Sequence, residues 1–543
     1  MSLDGDVFVV EWEHGAAVLK QCVPCRKKAE GVFAVPATYA NAYRLASRVP
    51  YASWDDDAKE AAAALHDAAV HRAARVNAVD GLSPAQETGV AWLLSGSGLL
   101  ADQMGSGKTV QACVALRERS GPVAVVCPNS VVDHWVEHIE KWTGREARAI
   151  TSAIAPYERP ASLRGAVDTD MAVVVPWSQV AGLAKQAAYG HTKLPEQEAG
   201  QLPLSETDWD VLIVDEAHRA KNPSAAQTRA VWSIQATTVW ALTGTPVSES
   251  PLDWWSMLRL IDPRSWPSRT RYANEYCTQT PMFWGGSQWM FGPALPELRQ
   301  LTDWLMLRRT MDEVIGRHIV KDRTVRKVHL PPKHRKLYDD LRENLLLELQ
   351  GDVLTLPNAL AAATRLQQMA AAHLESDGDG NYRMCMPSPK CEMLAAIVDE
   401  LGDEQLVVMS SSKQLLHLAS AKIAAAGYTT AEVSGDVTGD ARTGEIAAFQ
   451  SGERQIMFAT TGAGGEGIDL SAASRMVMLQ RPYSLVQSAQ AEDRVRRWTQ
   501  EKGAVEIIDV VTADTVDERI RVALQAKSTT ASQITGAEVL QLL

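Results

Sequence analysis

GLLADQMGSGKTVQA (98–112) runs from an apolar, strand-like start through a glycine-containing loop into GKT and a helix-forming stretch. That order is what a phosphate-binding loop requires. Gly105 and Gly107, with Ser106 between them, let backbone N–H groups converge on β- and γ-phosphates, Lys108 neutralises their charge, and Thr109 offers a hydroxyl to Mg²⁺. Asp102 stands where the general G-x-x-x-x-G-K-T pattern has its first glycine, so the bare pattern match is imperfect. The strand–loop–helix context argues against a chance glycine turn.

Outward from that loop, DVLIVDEAH (210–218) delivers Asp215 and Glu216 at the carboxyl end of an apolar strand, where open α/β sheets bind ligands. Asp215 suits Mg²⁺ and Glu216 suits the polarising of an attacking water, since in-line phosphoryl transfer needs an oriented nucleophile. An acidic pair at a strand end is often a helix cap, but the phosphate loop upstream favours the catalytic reading. Farther on, SAQAEDRVRRWTQ (488–500) puts Gln490, Arg494 and Arg497 at i, i+4 and i+7, on one face of an expected helix. Two guanidiniums there suit the spread negative charge of phosphoryl transfer; the bland alternative is an exposed basic helix.

Short apolar runs frame these motifs: GPVAVVCP (121–128), MAVVVPW (171–177) and TVWALTGTP (238–246), then QLVVMSS (405–411), TTAEVSG (429–435), QIMFATTG (455–462), RMVMLQ (475–480) and VEIIDVV (505–511). Runs of this kind read as buried parallel strands, so the expected fold class is α/β with two parallel sheets in tandem. The expected divisions are an accessory region at 1–80, a first lobe at 81–262, a mainly helical insertion at 263–390, a second lobe at 391–515 and a helical tail at 516–543. An Ala-rich helix is expected over 55–76.

The 543 residues carry 54 Lys and Arg against 66 Asp and Glu, a net charge of −12, so any polyanion must bind a local surface. Residues 299–336 hold eleven Lys or Arg against four Asp or Glu, either a solvated helical face or a phosphate-facing surface. No apolar run approaches a membrane span and the start, MSLDGDVFVVEWEH, has an acidic lead-in, which points to a soluble cytoplasmic protein with no membrane partner. The seven scattered cysteines argue for reduced thiols rather than a disulfide framework. Cys22 and Cys25 form a CxxC without a second matching pair, so the choice between half a zinc site and two small core thiols favours the thiols.

Taken in order, LSPAQETGVAWL (82–93), LLADQMGSGKT (99–109), CPNSVVDHWVEHIEKW (127–142), VDEAH (214–218), LTGTP (242–246), LRRTMDEV (307–314), ATTGAGGEGIDL (459–470) and QAEDRVRRWTQ (490–500) resemble the superfamily-two helicase-like ATPases of the Swi/Snf type. The resemblance implies two RecA-like lobes and an ATP- and Mg²⁺-dependent DNA translocase, with a compactness that suits a bacterial or phage member. By the same resemblance Gln86 reads adenine and Gln490 joins the nucleotide site. His218 couples the cleft to Gln490 or to the LTGTP loop. Loops around Pro128, Ser130, Trp177, Lys221, Asn222, Ser411, Gly435 and Thr461 track the backbone of duplex or branched DNA with little sequence preference.

Two departures stand out: QRPYSLVQ (480–487) replaces the family's Asp and Trp-Asn-Pro, and Thr499 replaces a usual glycine. VPYASWDDDAKEAAAAL (49–65) faintly resembles an accessory module of DNA-annealing translocases. A strand-separating helicase and a nucleotide-switched DNA-binding scaffold remain the alternatives, and the chain is read as a monomer.

Overall fold

The computed structural model describes residues 1–12, 19–20, 23–30, 32–49, 53–70, 81–185, 202–244, 250–281, 287–316, 318–351, 356–376, 382–434, 439–462, 468–496, 500, 502–522 and 524. It forms two compact units, Met1–Ile315 and Gly316–Leu543.

The first unit opens with a small antiparallel sheet of β1 (Ser2–Asp4), β2 (Val7–Glu11), β3 (Arg26–Ala29) and β4 (Val32–Pro36), in the order β1-β2-β4-β3. Phe8, Val10, Phe33 and Val35 alternate onto one face, as a two-residue period demands, and pack on Leu45 and Ala58 of helices Tyr39–Arg48 and Asp56–Val70. The second helix lies within the expected 55–76; residues 71–80 are outside the described ones. The small sheet went unread because its two apolar strands, VFVVE and VFAVP, are short, and their partners SLD and RKKA carry no apolar run.

A seven-stranded sheet follows, built from β5 (Gly98–Leu100), β6 (Val123–Cys127), β7 (Ala147–Ala149), β8 (Ala172–Pro176), β9 (Trp209–Asp215) and β10 (Ala236–Leu242). After a hairpin of β11 (Cys277–Pro281) and β12 (Ser287–Phe291), its last strand is β13 (Met306–Leu307). The order is β13-β5-β10-β9-β6-β8-β7 and every pairing is parallel. All five residues of β6 and of β8 are buried, which requires helices on both faces and explains their unbroken apolar runs.

The second unit has a six-stranded parallel sheet in the order β14-β21-β20-β17-β19-β18. Its strands are β14 (Val320–Val328), β17 (Leu406–Ser410), β18 (Thr430–Val433), β19 (Ile456–Thr460), β20 (Arg475–Gln480) and β21 (Ala504–Thr512), with a separate hairpin of β15 (His373–Ser376) and β16 (Tyr382–Cys385). Helices Pro332–Gly351 and Leu356–Ala371 come between β14 and that hairpin. The division expected at 263–390 therefore needs correcting. Residues 306–307 complete the first sheet and 320–328 open the second, so the units meet in sequence at Ile315 and Gly316. The basic stretch 299–336 is not one helical face, because it contains β13 and β14.

Candidate active site

The loop that follows β5 turns into helix Lys108–Ala115, and Gly105 (φ 79°) and Gly107 (φ 80°) both take the left-handed backbone that a side chain disfavours. At Gly107 a Cβ would also lie 2.6 Å from Gln86 Nε2. Lys108 Nζ donates to the carbonyls of Asp102 (2.7 Å) and Gln103 (3.3 Å), so its ammonium lies against the loop. Ser106 Oγ is buried and has no hydrogen-bond partner among the described residues.

Gln86 sits in the first turn of helix Pro84–Leu94 and forms a capping box with Ser83: its Oε1 accepts from Ser83 N (2.9 Å), while Ser83 Oγ accepts from Gln86 N (3.2 Å). Its Nε2 donates to Ser106 O at 3.0 Å, tying the helix start to the phosphate loop.

Asp215 ends β9 and Glu216 follows it as the first residue of the turn. Trp135 Nε1 donates to Asp215 Oδ2 (2.9 Å) and Trp177 Nε1 donates to the Asp215 carbonyl (3.0 Å), so two indoles fix the residue by side chain and backbone. Burial and the neighbouring Glu216 charge push the Asp215 carboxyl upward. Glu216 has a left-handed backbone (φ 48°) unusual for a non-glycine residue. Its carboxylate pairs with His218 Nδ1 at 3.0 Å. Burial opposes its ionisation, but the hydrogen bond and charge of His218, aided by Lys108 and Arg219, outweigh that and hold the carboxyl below its ordinary range. His218 Nδ1 also lies 3.0 Å from Thr243 Oγ1 in the LTGTP segment, whose Thr245 and Pro246 are outside the described residues. Gly244 backs onto the phosphate loop, where a Cβ would meet Met104 Cγ at 2.7 Å.

Thr109 and Asp215 supply hard oxygen donors of the kind Mg²⁺ takes. Among the described residues no three His, Cys, Asp or Glu side chains cluster as a metal cage. Mg²⁺ is commonly bound through one or two protein oxygens together with phosphates and water.

In the second unit, Gln490 lies in a helix that stops before Arg494. Helix Leu485–Glu492 ends at Glu492, with Asp493 as its C-cap. Lys321 Nζ reaches Glu492 (3.0 Å) and Asp493 (3.3 Å), and Arg323 Nη2 reaches Glu492 (2.6 Å). Arg481 donates to Glu492 (3.0 Å) and, two-pronged, to Asp509 (2.7 and 3.1 Å). These buried ion pairs draw 492–496 inward: Arg496 Nε donates to Ile319 O, and the Arg494 carbonyl accepts from Leu470 N. Gln490 and Arg494 are buried, and Arg497 is outside the described residues. Burial works against the Glu492 carboxylate, yet Lys321, Arg323 and Arg481 prevail and hold it down at about 2. Arg481, part of the QRPYSLVQ departure, is thus an anchor of this network.

The nucleic-acid candidates follow strand carboxyl ends. Pro128 and Ser130 come after β6, Lys221 and Asn222 lie in and just beyond the short helix Ala217–Lys221 after β9, and Ser411 and Thr461 come after β17 and β19. Ser130, Asn222 and Ser411 are exposed, whereas Pro128 and Thr461 are buried. Trp177 is 2% exposed, so its ring is an internal support for Asp215 rather than a surface for a strand. Gly435 and Cys22 fall outside the described residues. No described helix is long and apolar enough to cross a membrane.

Sequence reasoning passed over Trp135, Gln111 and Arg309. Trp135 shares a buried helix face with Val132 and Ile139, so its spacing reads as core and does not reveal where its N–H points.

Residues 85–376, more than half of the chain, match the family model described as the SNF2-related domain, and residues 389–499 match the helicase conserved C-terminal domain. Among curated relatives, the human DNA excision repair protein ERCC-6 is 23% identical over 487 residues, covering 80% of this chain and 31% of that protein. The Xenopus tropicalis SWI/SNF-related matrix-associated actin-dependent regulator of chromatin subfamily A-like protein 1 is 26% identical over 470 residues, covering 82% of this chain and 44% of that one. The chain thus spans less than half the length of these relatives. Among solved structures, the Sulfolobus solfataricus SWI2/SNF2 ATPase core in complex with dsDNA aligns at 20% identity with a TM-score of 0.39, covering 86% of this chain and 94% of that one.

Proposed function

The chain belongs to the SNF2-related family, and from that premise we propose that it is a DNA-dependent ATPase that couples hydrolysis to movement along duplex or branched DNA. The observation that carries this reading is the pairing of a phosphate-type loop with an oriented acidic pair, in which Asp215 is gripped by Trp135 and Trp177 and Glu216 is kept ionised beside His218.

In this reading the loop N–H groups from Gly105 to Lys108 cradle the phosphates, and Lys108 turns from the loop carbonyls to the bound triphosphate. Thr109 and Asp215 hold Mg²⁺, which when bound neutralises charge on the β- and γ-phosphates. Glu216 orients a water and takes its proton, and His218 steadies that carboxylate while relaying its position to Thr243. Gln86 reads adenine with the amide that otherwise bridges Ser83 and Ser106. Arg494 and Arg497 are assigned to stabilising the transferring phosphoryl charge, and Gln490 to the nucleotide site. Pro128, Ser130, Lys221, Asn222, Ser411, Gly435 and Thr461 belong to loops that follow the DNA backbone, so binding has little sequence preference and weakens steeply with salt. The chain acts as a monomer in this reading.

The test is the ATPase rate without nucleic acid and with single-stranded DNA, duplex, forked DNA and RNA, with Lys108→Ala as the blank. Stimulation by duplex or fork is expected, together with displacement of a triplex-forming strand. Stimulation by RNA alone overturns the substrate, and efficient unwinding of an annealed strand without triplex displacement overturns translocation in favour of strand separation.

A further inference from the structure

Asp102, at the position the general phosphate-loop pattern gives to glycine, is fully buried and faces a cation from far along the chain. Arg309 Nη2 lies 2.6 Å from Asp102 Oδ2 and Arg309 Nε lies 3.1 Å from Oδ1, a two-pronged pair that a lysine cannot reproduce. The same guanidinium donates to Gln111 Oε1 at 3.0 Å and to the carbonyl of Ala85. Gln111 Nε2 completes the ring, lying 3.4 Å from both Asp102 Oδ2 and Ser106 O. Backbone bonds run beside it from Ala101 N to Leu307 O (2.7 Å) and from Gln103 N to Arg309 O (2.9 Å), and the Gln103 side-chain Oε1 accepts from Met311 N (3.0 Å). The cluster fits only because helix Pro84–Leu94 has a glycine facing it. A Cβ on Gly89 would stand 1.8 Å from Gln111 Oε1 and 2.7 Å from Arg309 Nη2.

We propose that Arg309 is a positioning residue for the phosphate loop, setting nucleotide affinity by clamping Asp102 and Gln111 across the two ends of the loop. Asp102 opens the loop and Gln111 lies on the helix that closes it, so one guanidinium spans the distance over which the N–H groups must converge. Its donors are directed to Asp102, Gln111 and Ala85, which makes it a support for the anion site and not a ligand of the phosphates. A loosened loop must be ordered by the nucleotide itself, so weaker binding is the first consequence and slower chemistry a lesser one. The inference rests on the reading of 101–109 as a nucleotide loop.

The experiment compares full-length wild type, Arg309→Gln, Arg309→Lys, Gly89→Ala, the double variant Asp102→Asn with Arg309→Gln, and Lys108→Ala. It measures the Kd of a fluorescent ATP analogue, KM and kcat for ATP, and the melting temperature. Arg309→Gln is expected to raise Kd and KM about ten- to a hundredfold with a smaller change in kcat. Arg309→Lys should fall between it and wild type, and Gly89→Ala should reproduce the defect without touching either charge. The double variant, which replaces an ion pair with two amides, should recover affinity relative to Arg309→Gln alone. Wild-type affinity in Arg309→Gln while Lys108→Ala loses binding overturns the positioning role and leaves the loop reading standing. Wild-type affinity in Lys108→Ala overturns the loop reading itself. Should Arg309→Gln fail to fold, the lysine and double variants decide, and losses of binding that only track their unfolded fractions overturn the proposal.

Discussion

Trp135 Nε1 lies 2.9 Å from Asp215 Oδ2, an indole donating across the sheet to the carboxylate that ends β9. A half-buried carboxylate held by Trp135 Nε1 on one oxygen and by Glu216 N on the other (2.9 Å) has its oxygens aimed, which a metal ligand requires. Trp135→Phe keeps the ring and removes that donor. The expected outcome is a rise of about tenfold in the Mg²⁺ concentration for half-maximal ATPase activity, with a melting temperature close to wild type. A Mg²⁺ titration checks this, and an unchanged titration removes Trp135 from any part in metal binding.

Glu216→Gln keeps the side-chain volume and a hydrogen-bonding partner for His218 but cannot take a proton. Turnover should fall about 10²- to 10⁴-fold while the fluorescent ATP analogue still binds. Paired measurements of kcat and Kd separate the two effects, and near-normal turnover would exclude Glu216 as the base.

The parallel strands were legible because burial on both faces leaves nothing but apolar residues to read: VAVVC in β6, LVVMS in β17 and IMFAT in β19 are buried throughout. β14 was not, since VKDRTVRKV lies at the edge of its sheet with most of its residues at least partly exposed, and its charges hide the strand period. The motif loops were legible because phosphate chemistry demands Gly, Lys, Thr and carboxylates at close spacing. Long-range partners were not: Arg309 and Asp102 are 207 positions apart, and no local pattern joins them. The helix expected to carry Gln490, Arg494 and Arg497 is locally sound, but Lys321 and Arg323 pull Glu492 and Asp493 into the second unit's core, so tertiary contacts end it early.

Gly107→Ala should weaken nucleotide binding for two independent reasons. Its φ of 80° disfavours any Cβ, and that atom would meet Gln86 Nε2 at 2.6 Å. The backbone part costs about 1–2 kcal/mol. Combining it with Gln86→Ala removes the clash and keeps the strain, so the double variant should bind the ATP analogue better than Gly107→Ala yet worse than Gln86→Ala. Equal affinities for the two Gly107 variants would show that the Gln86 contact carries none of the effect.

Acid should unsettle the second unit through Glu492. Its carboxyl sits at about 2 in the folded chain against an ordinary 4.5, because Lys321, Arg323 and Arg481 favour its charged form more than burial disfavours it. An unfolded chain therefore takes up this proton before the folded one does. The stability it confers is complete above 4.5 and is lost as pH falls toward 2, a contribution on the order of 3 kcal/mol. Glu492→Gln lacks this titration and leaves three cations short of a partner, so at neutral pH it should be about 3–5 kcal/mol less stable than wild type. Urea unfolding of both proteins between neutral pH and the acid limit checks the sign: their stability difference should narrow as the solution is acidified below 4.5. A difference that stays constant over that range would mean that the network holds Glu492 by shape and not by charge.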